Sequence, residues 1–251
     1  MAEQEYSESG DPIYRYDNAK PKEFTFAIGD EQNIEAISEH IEKHIGKIEI
    51  VFHEIVSDLV HIDVHWVKPT KQFPFHTLVT SGMSDKPMTV PQGLDDHKYA
   101  ELCILLPENW QIDGTSYLTM EQAFKNENNY WPVRWLKTIA RFPHEYDTWV
   151  GHGHTIPNGE NADPFAENTK LGCMILFPSL SLGSNFFNLR INEDKNINFY
   201  CLYPLYKEEM NFKLKNGSDA LLDKFEKHNL TDIVDIKRKN TCGKKGLFGL
   251  W

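Results

Sequence analysis

The chain has no run approaching roughly 18 consecutive apolar residues, so an ordinary membrane-spanning helix is excluded. Its start, Met1-Ala2-Glu3-Gln4-Glu5, has neither the positive nor the apolar region of a secretory signal, and a cytoplasmic location is expected. Cysteine is scarce. Cys103, Cys173, Cys201 and Cys242 are widely separated, and no C-x-x-C pair exists to suggest a zinc knuckle or a disulfide framework. The first three lie in apolar runs, where a reduced thiol acts as a small hydrophobe. Positive charge is also short: 26 Lys and Arg face 37 Asp and Glu, a net charge of -11. Such a surface suits a basic partner better than nucleic-acid phosphate. Equally missing are a G-x-S-x-G nucleophile elbow, a Walker-type phosphate loop and a G-x-G-x-x-G turn.

What is present suits one mixed domain with tails. The 251 residues are 40% hydrophobic and 12% aromatic, enough for a sizeable core. Residues 1–22 carry five acidic side chains without apolar periodicity, which predicts a poorly ordered acidic arm. The domain is expected over residues 23–234. The tail, 235–251, has five basic residues and one acidic, a balance of +4 that leaves -15 on the rest of the chain. Its closing Gly-Leu-Phe-Gly-Leu-Trp adds apolar character, and docking on the acidic body is the simplest reading, with contact to a partner as the alternative.

Ile34, Ile37, Ile41 and Ile45 recur at three- and four-residue steps after Asp30, predicting a helix capped by Asp30 and ended by Gly46. Strands are predicted at Ile48 to Val56, Val60 to Val67, His76 to Met83 and Tyr99 to Leu106. Thr119 to Lys125 reads as a short helix. A longer one should start near Trp131, with Pro132 in its first turn and Pro143 at its end. Thr148 to Ile156, Leu171 to Phe177 and Asn198 to Leu205 resume strand character, and Glu208 to Leu214 and Ser218 to His228 read as helices. The polar loop Pro157 to Lys170 is of a kind that often carries binding function.

Two histidine groups merit chemical scrutiny. His61, Asp63 and His65 share one face of an extended strand, a set that could ligate zinc. The apolar opposite face, Val60, Ile62, Val64 and Trp66, makes them an ordinary solvated face instead. In Gly151-His152-Gly153-His154-Thr155 the histidines would point the same way, and glycines occur where a backbone bends or another chain approaches. A structural or protein-contact role is favoured over metal, because no third ligand is placed by sequence. Asp85, Glu101 and Asp147 are candidate acids with no spacing that unites them.

Four ordered motifs carry a resemblance. His76-Thr-Leu-Val-Thr-Ser-Gly-Met-Ser-Asp85, Tyr99-Ala-Glu-Leu-Cys-Ile-Leu-Leu-Pro107, Trp131-Pro-Val-Arg-Trp-Leu-Lys-Thr-Ile-Ala-Arg141 and Gly151-His-Gly-His-Thr155 resemble, in order, segments of the suppressor-of-fused family. Phe199 to Leu205 fits its C-terminal part more loosely. The resemblance implies an α/β (α+β) fold, a mixed, mostly antiparallel sheet covered by helices. It also implies a non-enzymatic protein-binding module without cofactor. Animal members add a second domain and bind transcription-factor peptides by strand addition between the two; that two-domain clamp is not expected in these 251 residues. Bacterial single-domain members are associated with toxin immunity. The expectation is an immunity protein or antitoxin that masks a basic toxin, with Ser84, Asp85, Asp147, His152 and His154 as exposed partner-binding residues and no catalytic or metal-binding residues. A general peptide-binding regulator is the alternative, and a metal-dependent enzyme using His152 and His154 a more distant one.

Overall fold

A computed structural model describes residues 5–16, 26–54, 58–112 and 125–243. The chain opens with two short antiparallel strands, β1 (Glu5–Tyr6) and β2 (Pro12–Ile13). Over residues 5–16 this hairpin leans on the body. The Ser9 N–H donates to the Leu214 carbonyl at 3.1 Å, and the Lys213 ammonium meets the Asp11 carboxylate at 3.0 Å.

Helix α1 (Glu31–His44) begins where its cap requires: the Asp30 side chain accepts the Gln32 and Asn33 N–H groups at 3.1 and 3.2 Å. Strands β3 (Ile48–Phe52), β4 (Asp63–Val67), β5 (Phe75–Ser81) and β6 (Tyr99–Pro107) follow. After them come α2 (Glu127–Tyr146), β7 (Thr155–Pro157), β8 (Leu171–Phe177), β9 (Asn188–Arg190), β10 (Asn196–Tyr206), α3 (Lys207–Asn216) and α4 (Ser218–Lys227). The strands other than β1 and β2 form one sheet in the order β3-β4-β5-β6-β10-β8-β7, with β9 paired to the start of β10. Among the described strand pairs only β6–β10 is parallel. This is the mixed, mostly antiparallel sheet that the family resemblance implied.

Helices cover both faces, which explains why the central strands read as continuous apolar runs and not as alternating ones. On one face Trp131, Trp135, Leu136 and Ile139 of α2 pack over Val64, Trp66, Leu78, Leu102, Ile104 and Leu202. On the other, Ile37 and Ile41 of α1, Met210 of α3 and Leu221 and Phe225 of α4 cover Val79, Cys103, Leu105, Ile175, Cys201 and Leu205. The alternation along β6, with Leu102, Ile104 and Leu106 to one side and Cys103 and Leu105 to the other, is the period-two pleat.

Several boundaries differ from expectation. Helix α2 starts four residues before Trp131, capped by Asn126, whose side chain accepts the Asn128 N–H. Pro132 removes the donor that would bond the Asn128 carbonyl. The Asn168 side-chain amide takes that carbonyl at 3.1 Å, pinning the polar 157–170 loop to the helix. Pro143 does not end α2, which runs on to Tyr146 and stops with Asp147 in the left-handed region at φ 50. The strand expected over Thr148 to Ile156 shrinks to Thr155–Pro157, because Gly153 at φ +76 breaks the extended backbone. The helix expected over Thr119 to Lys125 lies outside the described residues, apart from Lys125.

The start of the basic tail is packed. Arg238 donates to both Glu209 carboxylate oxygens and lies 4.8 Å from the Tyr206 ring. Burial pushes the Glu209 carboxyl upward, but the Arg238 guanidinium, with the Thr241 and Tyr206 N–H groups, holds it below its ordinary value.

Candidate functional site

The Ser84–Asp85 turn is set by Gly82. Its φ is +100, and a Cβ there would meet the His61 carbonyl oxygen at 1.8 Å, so only glycine fits. The turn then coils through one 3-10 turn, Met83–Asp85, and brings Ser84 inward. Ser84 is fully buried, not exposed as its motif suggested, because it answers the carboxylate of Glu101 on β6. Glu101 Oε1 accepts the Ser84 N–H at 2.9 Å and the Ser84 hydroxyl at 2.6 Å; Oε2 accepts the Thr80 hydroxyl at 2.6 Å. Burial outweighs these donors and pushes the Glu101 carboxyl up to about 7. Asp85 is half-buried and faces α1: it accepts the Asp30 N–H at 3.0 Å and the Asn33 amide at 2.6 Å. Burial also pushes the Asp85 carboxyl above its ordinary value, against those two donors. Ser84 and Asp85 therefore join sheet to helix.

Asp147, His152 and His154 lie on the loop beyond α2, whose near end is tied to the segment around that turn. His144 in the last turn of α2 sits 2.9 Å from the Met83 carbonyl, and the Thr89 N–H donates to the Thr148 carbonyl at 3.0 Å. Asp147 and His152 are exposed and His154 is half-buried. The two histidines meet different rings: His152 packs edge-on against Phe177, and His154 against Trp149 at 4.3 Å. Trp149 in turn neighbours His97, whose ring nitrogen is 3.2 Å from the Tyr200 hydroxyl. Burial pushes His154 down to about 4, helped by the Lys213 charge, and burial also lowers His152. At neutral pH both offer neutral imidazoles, suited to hydrogen bonding and ring contact.

The set His61, Asp63 and His65 is rearranged. Asp63 and His65 are buried, on the face of β4 that also carries Val67 of the α1-side core, so the face expected to be solvated is covered. His65 turns to the Ser81 hydroxyl at 2.8 Å, and His53 from the end of β3 takes its place beside Asp63. Next to His53 is an open cleft of about 440 Å³ lined by Glu54, Tyr130, Arg134, Lys137, Thr138 and Arg141. Arg141 pairs with Glu54, Lys137 lies 4.0 Å from the same carboxylate, and burial depresses both basic groups. This cleft was missed. Its signal was the spacing of Arg134, Lys137 and Arg141 along one helical face in an acidic chain.

Residues 58–239 match the family described as suppressor of fused protein (SUFU). The chain belongs to the suppressor of fused protein family. A SUFU homologue from Neisseria gonorrhoeae superposes with a TM-score of 0.60 at 16% identity, covering 86% of this chain and all of that one. The structure of the Sufu-Fu complex gives 0.56 at 13% identity over 83% of this chain and 92% of that chain. Drosophila Suppressor of Fused gives 0.55 at 13% identity over 86% of this chain but only 53% of its own length. In sequence, an uncharacterized protein of Ureaplasma parvum is 28% identical over 142 residues, 56% of this chain and 62% of that protein. At these identities the structural matches establish the shared fold, and the SUFU family fold agrees with the helix-covered mixed sheet described above. Among the described residues no helix is long and apolar enough to cross a membrane.

Proposed function

We propose that this protein is a non-enzymatic protein-binding module that acts in the cytoplasm as an immunity protein or antitoxin, masking a basic toxin. The observation that carries the binding reading is membership of the SUFU family together with a similar structure that is itself a protein complex, Sufu-Fu. Charge supports the choice of partner: the net of -11 steers a basic surface toward this one and speeds encounter. The contact surface is assigned to Asp147, His152 and His154, with Asp85 at its border and Ser84 behind it as support. Asp147 supplies charge, and the histidines supply hydrogen bonds and ring faces. Growth of cells that express the adjacent gene's product, with and without this protein, tests the immunity role. Restored growth is expected; a non-toxic neighbour, or toxicity that persists, defeats it.

A second reading, a general peptide-binding regulator, draws on the sheet edges. Strand β3 pairs only with β4 and β7 only with β8 among the described residues, leaving backbone groups of the kind that strand addition uses. A peptide partner found where no toxin gene is adjacent would favour it.

A further inference from the structure

We propose that His53, His61 and Asp63 form a binding site for one zinc-class divalent cation, holding the end of β3 to the start of β4. Asp63 Oδ2 lies 2.8 Å from His53 Nδ1, and Asp63 Oδ1 lies 3.1 Å from His61 Nε2. All three ligand atoms fall within 4.8 Å of one another. Around a tetrahedral zinc with bonds of roughly 2.0–2.1 Å, ligand atoms stand about 3.3 Å apart. The two distances run to different oxygens of the Asp63 carboxylate and are shorter than that figure, and the His53 side chain, 70% exposed, has room to shift as an ion enters between them.

The electrostatics favour a cation. Asp63 is 2% exposed, and a buried carboxylate requires compensating positive charge. Among the described residues the groups within ion-pair distance of it are His53 and His61, and the Lys137 ammonium, 4.0 Å from Glu54, adds a longer-range attraction. Imidazole and carboxylate are ordinary zinc ligands, and their carrier, Asp63, is already oriented by the Glu54 N–H, which donates to Oδ1 at 3.1 Å. The Lys137 and Arg141 charges nearby oppose a bare dication, so the fourth position is assigned to hydroxide or another anionic oxygen ligand. His53 also lines the cleft, and the ion would sit at its wall.

The test is titration of the purified full chain, stripped with chelator, with Zn²⁺ by calorimetry and with Co²⁺ by visible absorption. One equivalent is expected, with the intense d–d absorption of a four-coordinate site. His53→Ala, at an exposed side chain that leaves the core intact, should weaken binding by more than roughly 100-fold, beyond the 10–100-fold lost when only an outer partner is removed. Asp63→Asn should do the same, and circular dichroism confirms that each variant is folded. His152→Ala/His154→Ala should leave the affinity unchanged. No binding by the folded wild type, or affinity insensitive to His53→Ala, overturns the site.

Discussion

Glu101 on β6 and Ser84 in the turn after β5 hold each other through two hydrogen bonds, from the Ser84 N–H at 2.9 Å and from its hydroxyl at 2.6 Å. The carboxylate sits in the sheet, the serine beneath α1, and Asn33 of α1 completes the link by donating to Ser84 Oγ at 3.0 Å. The Ser84-Asp85 turn is thus a joint between layers.

That joint makes stability depend on pH. The folded value of Glu101, about 7, lies above its ordinary 4.5, so between those values the folded state keeps a proton that the unfolded chain has released. Its contribution is full below about pH 4.5 and is lost as pH rises toward 7. Glu101→Gln keeps the acceptor oxygen and removes the ionisation. Urea unfolding should find the variant more stable at pH 8 by on the order of 2–3 kcal/mol and the slope between pH 5 and pH 7 reduced. Equal pH dependence in both proteins would rule out this role for Glu101.

Arg238→Ala removes the counter-charge of Glu209, a carboxylate with 0% exposure. An uncompensated buried charge costs about 3–5 kcal/mol. Denaturation midpoints at pH 7 should show that loss, and Arg238→Ala/Glu209→Gln should recover much of it. A small effect of the single variant would mean that the tail is not held by this pair.

Gly82→Ala places a methyl group against the His61 carbonyl oxygen and in a backbone region that L-residues avoid. We expect destabilisation of more than about 2 kcal/mol, read by thermal unfolding. A variant as stable as the wild type would mean that the turn relaxes freely.

Asp147→Gly separates folding from recognition. Asp147 adopts φ 50 at the end of α2, a conformation that glycine occupies at no steric cost. Stability should be unchanged or raised by up to about 1 kcal/mol while partner affinity falls. Destabilisation with intact affinity would assign Asp147 to the fold alone.

Much of this architecture was legible because periodicity reports burial. The isoleucine stripe of α1 and the runs at Tyr99 and Leu171 place their elements within a residue or two. What escaped was set by long-range contacts. Pro132 and Pro143 read as boundaries, yet Asn168 repairs the first by bonding the Asn128 carbonyl, 40 positions before it. Asp63 and His65 looked solvated because the sequence does not say that both faces of β4 are covered. Ser84 looked like a surface residue because its buried partner, Glu101, is 17 positions along the chain. His53 joins Asp63 only through the pairing of β3 with β4.

The binding-module account is tested most directly by affinity capture from the native cell, with quantitative mass spectrometry, comparing the wild type with a folded Asp147→Ala/His152→Ala/His154→Ala variant. The account predicts one protein recovered in a fixed molar ratio with the wild type and lost with the variant. Recovery of no stoichiometric protein, or equal recovery by both, would contradict it.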